Sequence, residues 1–163
     1  MAPADSSYRV VAYTVTFLED GDEVLLLERA GDRPIWAGAV TGVGGRLEPG
    51  EDILSSARRE IAEETGLRVE RLRLRGVIHA QSVSARPDTL LFMFGGQAPQ
   101  RRVSETDEGR LLWVPKDRVA DLPLPGSIRA SLPRLLNGAA SDGPFFAFCQ
   151  YSENDASEVR FAE

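Results

Sequence analysis

Residues 45–67 read GRLEPGEDILSSARREIAEETGL, and the rest of the chain is best read outward from them. From Asp52 to Glu64 the pattern is helical. Leu54, Ala57 and Ile61 recur at spacings of three and four, and Gly66 stands where a C-terminal glycine cap belongs. Each helical residue turns by about 100°, so Glu60, Glu63 and Glu64 share one arc of roughly 100° beside the apolar one. Three carboxylates on one stripe repel: two unit charges about 4 Å apart cost roughly 4 kcal/mol at an effective dielectric of 20. A divalent cation relieves this. Hard oxygen donors suit Mg2+ or Mn2+, with further positions left to water and substrate phosphates. The glycines ahead of the helix let backbone approach such a ligand closely. A solvated acidic face is the plainer reading of three glutamates, but it leaves the flanking glycines, Glu51 and Arg59 without a reason.

Upstream, residues 8–18 (YRVVAYTVTFL) are expected as a strand with Val11, Tyr13, Val15 and Phe17 on one face. Glu19-Asp20-Gly21-Asp22 turns the chain into a second strand, Glu23–Arg29, so the domain begins with a hairpin. Residues 30–42 carry Gly31, Pro34, Gly38, Gly42 and Trp36, and read as a loop holding a short extended piece. Downstream, alternation predicts a strand from about 71 to 81 that turns Arg71, Arg73 and Arg75 to solvent. Arg86-Pro87-Asp88 turns into a strand at 89–95, and an acidic loop at 104–108 leads to another at 110–114. Pro115 opens a short helix to Asp121. Gly126–Asn137, closed by Gly138, is expected as the last helix, and Pro144–Tyr151 as the last strand. The division is residues 1–7 as a flexible N-terminus, 8–151 as a single domain, and 152–163 as a polar, loosely held tail. This irregular interleaving predicts an α/β fold with a mixed sheet and helices on its faces.

The 163 residues suit one domain, and 42% hydrophobic with 27% charged residues is the composition of a soluble globular chain. A net charge of −6 argues against a nucleic-acid polymer as partner. The single cysteine, Cys149, excludes an intrachain disulfide and a Cys-rich zinc site, and the single His79 argues against a histidine metal cluster. Cys149, His79 and Trp113 read as structural residues. No apolar run approaches the roughly 20 residues that span a bilayer. Met1–Ser7 lacks the basic start of a signal peptide, so a cytoplasmic chain with no membrane partner is expected.

At their spacings, Gly45, Glu51, Arg59, Glu60, Ile61, Glu63, Glu64, Gly66 and Leu67 fill every fixed position of G-x5-E-x7-R-E-U-x-E-E-x-G-U, where U is a bulky aliphatic residue. The segment resembles the Nudix box. The order of hairpin, box, strand ending at Trp113 and late helix is similar to MutT-like nucleotide diphosphatases. The resemblance implies a Nudix-type α/β/α sandwich with a central mixed β-sheet, the box forming loop–helix–loop. It implies Glu60, Glu63, Glu64 and the Gly44 carbonyl as metal ligands, with Mg2+ as cofactor and Mn2+ as its substitute. Arg59 is expected to orient a carboxylate, with Glu51 as its partner. Glu108, five residues before Trp113, matches a loop glutamate that in similar proteins joins the metal site or assists the base. Glu105 and Asp107 are its stand-ins. Trp36 and Arg46 are expected at the substrate.

The implied reaction is metal-dependent hydrolysis of the diphosphate linkage of a nucleoside diphosphate linked to X. A nucleoside triphosphate comes first, yielding monophosphate and pyrophosphate as water attacks phosphorus and a box glutamate or Glu108 takes its proton. Housecleaning of modified nucleotides is one such role. Nucleotide sugars, ADP-ribose and dinucleoside polyphosphates are the alternative substrates. A non-catalytic Nudix-fold binding module would lose box glutamates, and none is lost here. Isomerase chemistry on an isoprenyl diphosphate needs a catalytic cysteine and a histidine arrangement that Cys149 and His79 do not supply. MutT-like oxidised-purine hydrolases place polar base-reading residues just before the last helix. Here that region is Leu122-Pro123-Leu124-Pro125-Gly126, without side-chain donors or acceptors, which predicts weak discrimination among purines. The Trp36–Gly44 segment is also longer than in many relatives. The expected partner is a small-molecule nucleotide, and a homodimer is compatible with the family.

Overall fold

Val, Thr and aromatic residues near the N-terminus form a strand that becomes the seam of the sheet. A computed structural model describes residues 7–33, 36–82, 86–104, 106–136, 143–152 and 155–163. In chain order the elements are β1 (Val10–Asp20), β2 (Glu23–Arg29), β3 (Val40–Thr41), α1 (Ile53–Thr65), β4 (Arg73–Ser82), β5 (Asp88–Gln97) and β6 (Gly109–Pro115). A 3₁₀ helix (Lys116–Asp121), α2 (Gly126–Leu135), β7 (Phe145–Ser152) and β8 (Asp155–Phe161) follow. The sheet runs β6-β2-β1-β5-β4-β7-β8, with β3 pairing β2 on the edge that β1 leaves. β1 lies parallel to β5 and β4 parallel to β7, while the remaining pairs are antiparallel, so the sheet is mixed. Among the described residues no helix is long and apolar enough to cross a membrane.

Each face of the sheet buries its own core. On one side Val15, Phe17, Ile78, Leu91 and Met93 pack against Ile128, Leu132 and Leu135 of α2. On the other, Leu18, Leu25, Leu27 and Val43 pack under Ile61 of α1 and Leu67. This is the α/β/α layering expected for the chain.

The hairpin splays soon after its turn. β1 and β2 pair only from Leu18↔Leu25 to Asp20↔Glu23. Beyond that, the strand-like segment from Val40 to Arg46 fills the gap. Val40 and Thr41 pair with β2, while Val43 and Arg46 bridge to Thr16 and Tyr13 of β1. Thr14 N–H donates to the Gly45 carbonyl (2.9 Å), and Thr16 exchanges two bonds with Val43 (2.6 and 3.0 Å). Backbones meet so closely that a Cβ on Gly44 would lie 1.9 Å from the Thr14 carbonyl oxygen. The start of the residue 45–67 segment is thereby pinned to β1, and α1 follows from it.

Three expectations meet a different outcome. The stretch expected as a loose polar tail contains β8, which pairs with β7 from Ala147↔Phe161 to Ser152↔Asp155. Besides Ala156 its apolar residues are Val159 and Phe161, which alternate and both pack against the α2-side core. The Phe161 ring meets Phe145 edge-on at 5.6 Å, with the Arg134 guanidinium 3.7 Å above it. Arg75 does not turn to solvent: a bulge between Leu74 and Gly76 shifts the alternation, and Arg75 Nη2 donates to the Leu135 carbonyl (3.3 Å) at the end of α2. The strand itself starts at Arg73, two residues later than expected. Asn137 and Gly138, expected to end the last helix, lie outside the described residues, as do residues 1–6.

Phe161→Ala should destabilise the protein by about 1–2 kcal/mol, roughly half the loss for a fully buried Phe, because the ring is half-buried. Urea unfolding with an unchanged midpoint would mean that residues 155–161 are a passive tail after all.

Candidate active site

Local sequence builds helix α1 at both ends. Asp52 Oδ1 accepts from Leu54 and Ser55 N–H (2.9 Å each), and Gly66 closes the helix in the left-handed conformation with φ 75°. Ile61 is buried against the β1/β2 side, which turns the acidic arc toward the Gly44–Gly45 loop. The three helix glutamates then separate. Glu64 is 2% exposed and the Glu60 side chain 13%, while Glu63 stays 58% exposed.

Glu64 Oε2 accepts the Gly44 N–H at 2.7 Å. Glu60 lies so close to Gly45 that a Cβ there would sit 2.4 Å from Oε1. Both carboxyls are pushed up chiefly by burial, Glu64 to about 8. The charge of Glu108, in the acidic loop, raises both a little further. Of its stand-ins, Asp107 is exposed, and Glu105 lies outside the described residues.

Arg59 organises the opposite side. Its Nε and Nη2 form a two-pronged bond to Glu51 (2.9 and 2.7 Å), which holds the Glu51 carboxyl down at about 2. Nη1 donates to Glu60 Oε1 (2.8 Å) and Glu63 Oε2 (3.1 Å), and Nη2 also reaches the Arg46 carbonyl (3.2 Å). The Arg46 side chain itself is exposed.

Among the described residues no three acidic, histidine or cysteine side chains form a ready-made cation cage. The donor set nevertheless fits a hard cation. Glu60 Oε2 and Glu64 Oε1 carry no hydrogen bond from a described residue, nor does the Gly44 carbonyl. Mg2+ is usually held by one or two carboxylates together with waters and substrate phosphates, so a closed protein cage is not required.

Trp36 stands apart from these carboxylates. It is a non-glycine residue at φ 53°, and its ring faces Tyr151 at 6.5 Å between centroids, tilted 49°. The Tyr151 hydroxyl is hydrogen-bonded to Ser127 Oγ. Tyr151 and Ser127 were not candidates from sequence, and nor was Arg33, whose Nη2 is 2.7 Å from Glu108 Oε2. No local motif marks these three, because each acquires its partner from a distant element. His79 belongs elsewhere, bonded to the Tyr8 hydroxyl (2.7 Å), which also donates to Asp88. Cys149 is fully buried.

Glu64 gives the metal-free protein a pH signature. Its folded value of about 8 exceeds the ordinary 4.5, so above pH 4.5 the unfolded chain loses a proton that the folded chain keeps. This contribution to stability is complete below about pH 4.5 and decays by up to about 1.4 kcal/mol per pH unit until about pH 8. Urea unfolding in EDTA should show the decline in the parent protein and a flatter curve for Glu64→Gln. Parallel curves would contradict the burial assigned to this carboxylate.

Known proteins resemble this chain in sequence and in fold. The NUDIX domain model matches residues 7–135. A Nudix hydrolase of Bacillus subtilis, YvcI, is 32% identical over 111 residues, covering 66% of this chain and 67% of that protein. The oxidized purine nucleoside triphosphate hydrolase of Mus musculus is 31% identical over 112 residues, covering 68% and 70%. For a Danio rerio protein of the same name the matched share of its length falls to 56%. The crystal structure of a MutT protein from Bacillus halodurans superposes with a TM-score of 0.80 at 26% identity, covering 93% of this chain and 97% of that one. With every fixed position of the box occupied, Glu60 and Glu64 turned inward, and the domain matched over most of its length, the chain belongs to the Nudix family and is a Nudix hydrolase.

Proposed function

We propose that this enzyme hydrolyses a nucleoside triphosphate to the monophosphate and pyrophosphate, with Mg2+ as its cofactor. The observation that carries the reading is the inward pair Glu60 and Glu64, each with one oxygen unengaged, beside the open Gly44 carbonyl and within range of the Glu108 charge. The murine relative, named for oxidized purine nucleoside triphosphates, favours a triphosphate over a nucleotide sugar. The proposed setting is the cytoplasm, where such nucleotides are dissolved.

Glu60, Glu64 and the Gly44 carbonyl would hold the cation, with Glu63 at the solvent edge of the same set. When bound, the cation offsets charge on the phosphate oxygens and makes water a better nucleophile at neutral pH. Arg59 fixes Glu60 through Oε1 and leaves Oε2 for the ligand role. Glu51 keeps Arg59 in place, so the carboxylates do not have to reorganise as charge develops. A carboxylate of this set, in the box or at Glu108, accepts the proton of the attacking water. Arg46, exposed near the start of the box, meets the phosphates. The base rests against Trp36 and Tyr151, where stacking contributes about 1–3 kcal/mol.

Metal removal tests the reading directly: EDTA should abolish turnover, and Mg2+ or Mn2+ should restore it. Glu64→Gln should lower kcat at least about 10²-fold, roughly 2.7 kcal/mol, while the protein stays folded. Full turnover in metal-free buffer, or an active Glu64→Gln variant, would overturn the assignment.

Base selectivity follows from the aromatic pair. The Tyr151 hydroxyl already engages Ser127, and residues 122–126 add no side-chain donor or acceptor. Strong rejection of a wrong base requires buried polar groups left unpaired by it, so kcat/KM for 8-oxo-dGTP and dGTP should differ by less than about 10²-fold. A ratio of a thousand or more under matched Mg2+ would place base-reading groups elsewhere.

A further inference from the structure

The loop joining β2 to β3 delivers a second guanidinium to the carboxylates. Arg33 Nη2 lies 2.7 Å from Glu108 Oε2 and donates to the Asp107 carbonyl at 3.4 Å. The two chain segments are also joined by backbone, since Ala30 N–H donates to the Glu108 carbonyl (3.2 Å). Both side chains are partly open to solvent, Arg33 28% and Glu108 39% exposed. An ion pair this wet is weak.

Arg33 and Arg59 are therefore differently placed. Arg59 is clamped by both nitrogens of its fork to Glu51 and by a third to Glu60 and Glu63. Arg33 has Glu108 as its one carboxylate partner among the described residues. The charge of that same carboxylate is felt at Glu60 and Glu64, so a divalent cation held by those two would act on Glu108 with twice the charge of a guanidinium. The loop ends stay fastened while this happens, through Arg29 N–H to the Ala39 carbonyl (2.9 Å) and Val40 N–H to the Pro123 carbonyl (2.9 Å). A guanidinium released from Glu108 thus remains beside the site with its donors free, and its planar fork matches phosphate oxygens.

We propose that Arg33 is a substrate-binding residue that exchanges partners: it neutralises Glu108 before the cation binds, and cation binding releases it to a phosphate of the incoming nucleotide. The proposal rests on the metal-dependent reading above. It makes Arg33 a competitor of the metal and a helper of the substrate, two effects of opposite sign that a merely structural residue would not produce.

The experiment uses the metal-free 163-residue chain and Mn2+ alone, with free Mn2+ followed by electron paramagnetic resonance and no nucleotide present. Steady-state kinetics on a nucleoside triphosphate run in parallel. For Arg33→Gln, Mn2+ should bind about two- to fivefold tighter, the range set by an exposed ion pair. KM should rise about tenfold, as for loss of a charge-assisted hydrogen bond, with the loss falling on KM rather than kcat. Arg33→Lys should lie nearer the parent protein in both. In a Glu108→Gln background, Arg33→Gln should no longer tighten Mn2+. Arg110→Gln, which breaks the Arg110–Glu28 pair (2.8 Å) on β6, should move neither quantity. Unchanged or weaker Mn2+ binding in Arg33→Gln, or an unchanged KM, overturns the exchange while parent binding and turnover remain normal. A parent protein that binds no Mn2+ and turns over in EDTA overturns the metal-dependent reading and the exchange with it.

Discussion

The fork of Arg59 closes on Glu51 through two hydrogen bonds of 2.9 and 2.7 Å, and in doing so ties the loop that precedes α1 to the helix itself. A guanidinium paired this way is fixed in plane and direction, so its remaining nitrogen can hold Glu60 and Glu63 without wandering. The count of charges then matters. Arg59 faces Glu51, Glu60 and Glu63, and Arg33 faces Glu108, so with Glu64 close by the cluster holds more carboxyls than guanidiniums, a balance that a divalent cation would suit.

Burial raises the cost of that charge. Glu64 is 2% exposed and receives the Gly44 N–H. A buried carboxylate is unfavourable unless it is paired. The fold accommodates it because β1 and β2 part after Leu18 and Leu25, and the Val40–Arg46 segment enters the opening. Only a residue without a Cβ can stand where Gly44 meets the Thr14 carbonyl. Sheet topology and site chemistry are therefore one constraint. The splay admits the glycine loop, and the loop meets the helix carboxylates.

Arg33 and Trp36, both between β2 and β3, stand at the two ends of the proposed site. Arg33 reaches the carboxylate side at Glu108, and Trp36 reaches Tyr151. The Trp36 backbone at φ 53° is unusual for a bulky residue, and such conformations persist where their surroundings hold them. A nucleotide has the same two-ended chemistry, with phosphates at one end and an aromatic base at the other.

The local elements of this protein were legible in its sequence because local forces build them. Asp52 and Gly66 cap α1 from adjacent positions. The Glu19–Asp22 turn makes the hairpin, and nine residues at fixed spacing mark the helix that carries the carboxylates. The α/β class follows from the same alternation of patterns. What the sequence could not express was any feature formed by distant partners. β8 is mostly polar, and only pairing with β7 turns Val159 and Phe161 inward. The bulge before Gly76 redirects Arg75 to the end of α2. Glu60 and Glu64 separate from Glu63 only when Ile61 is pressed into the core beneath α1. Arg33 with Glu108, and Trp36 with Tyr151, have no spacing rule to announce them. Side-chain chemistry and periodicity act over a few residues, whereas burial, register and long-range charge exist only once the sheet has assembled.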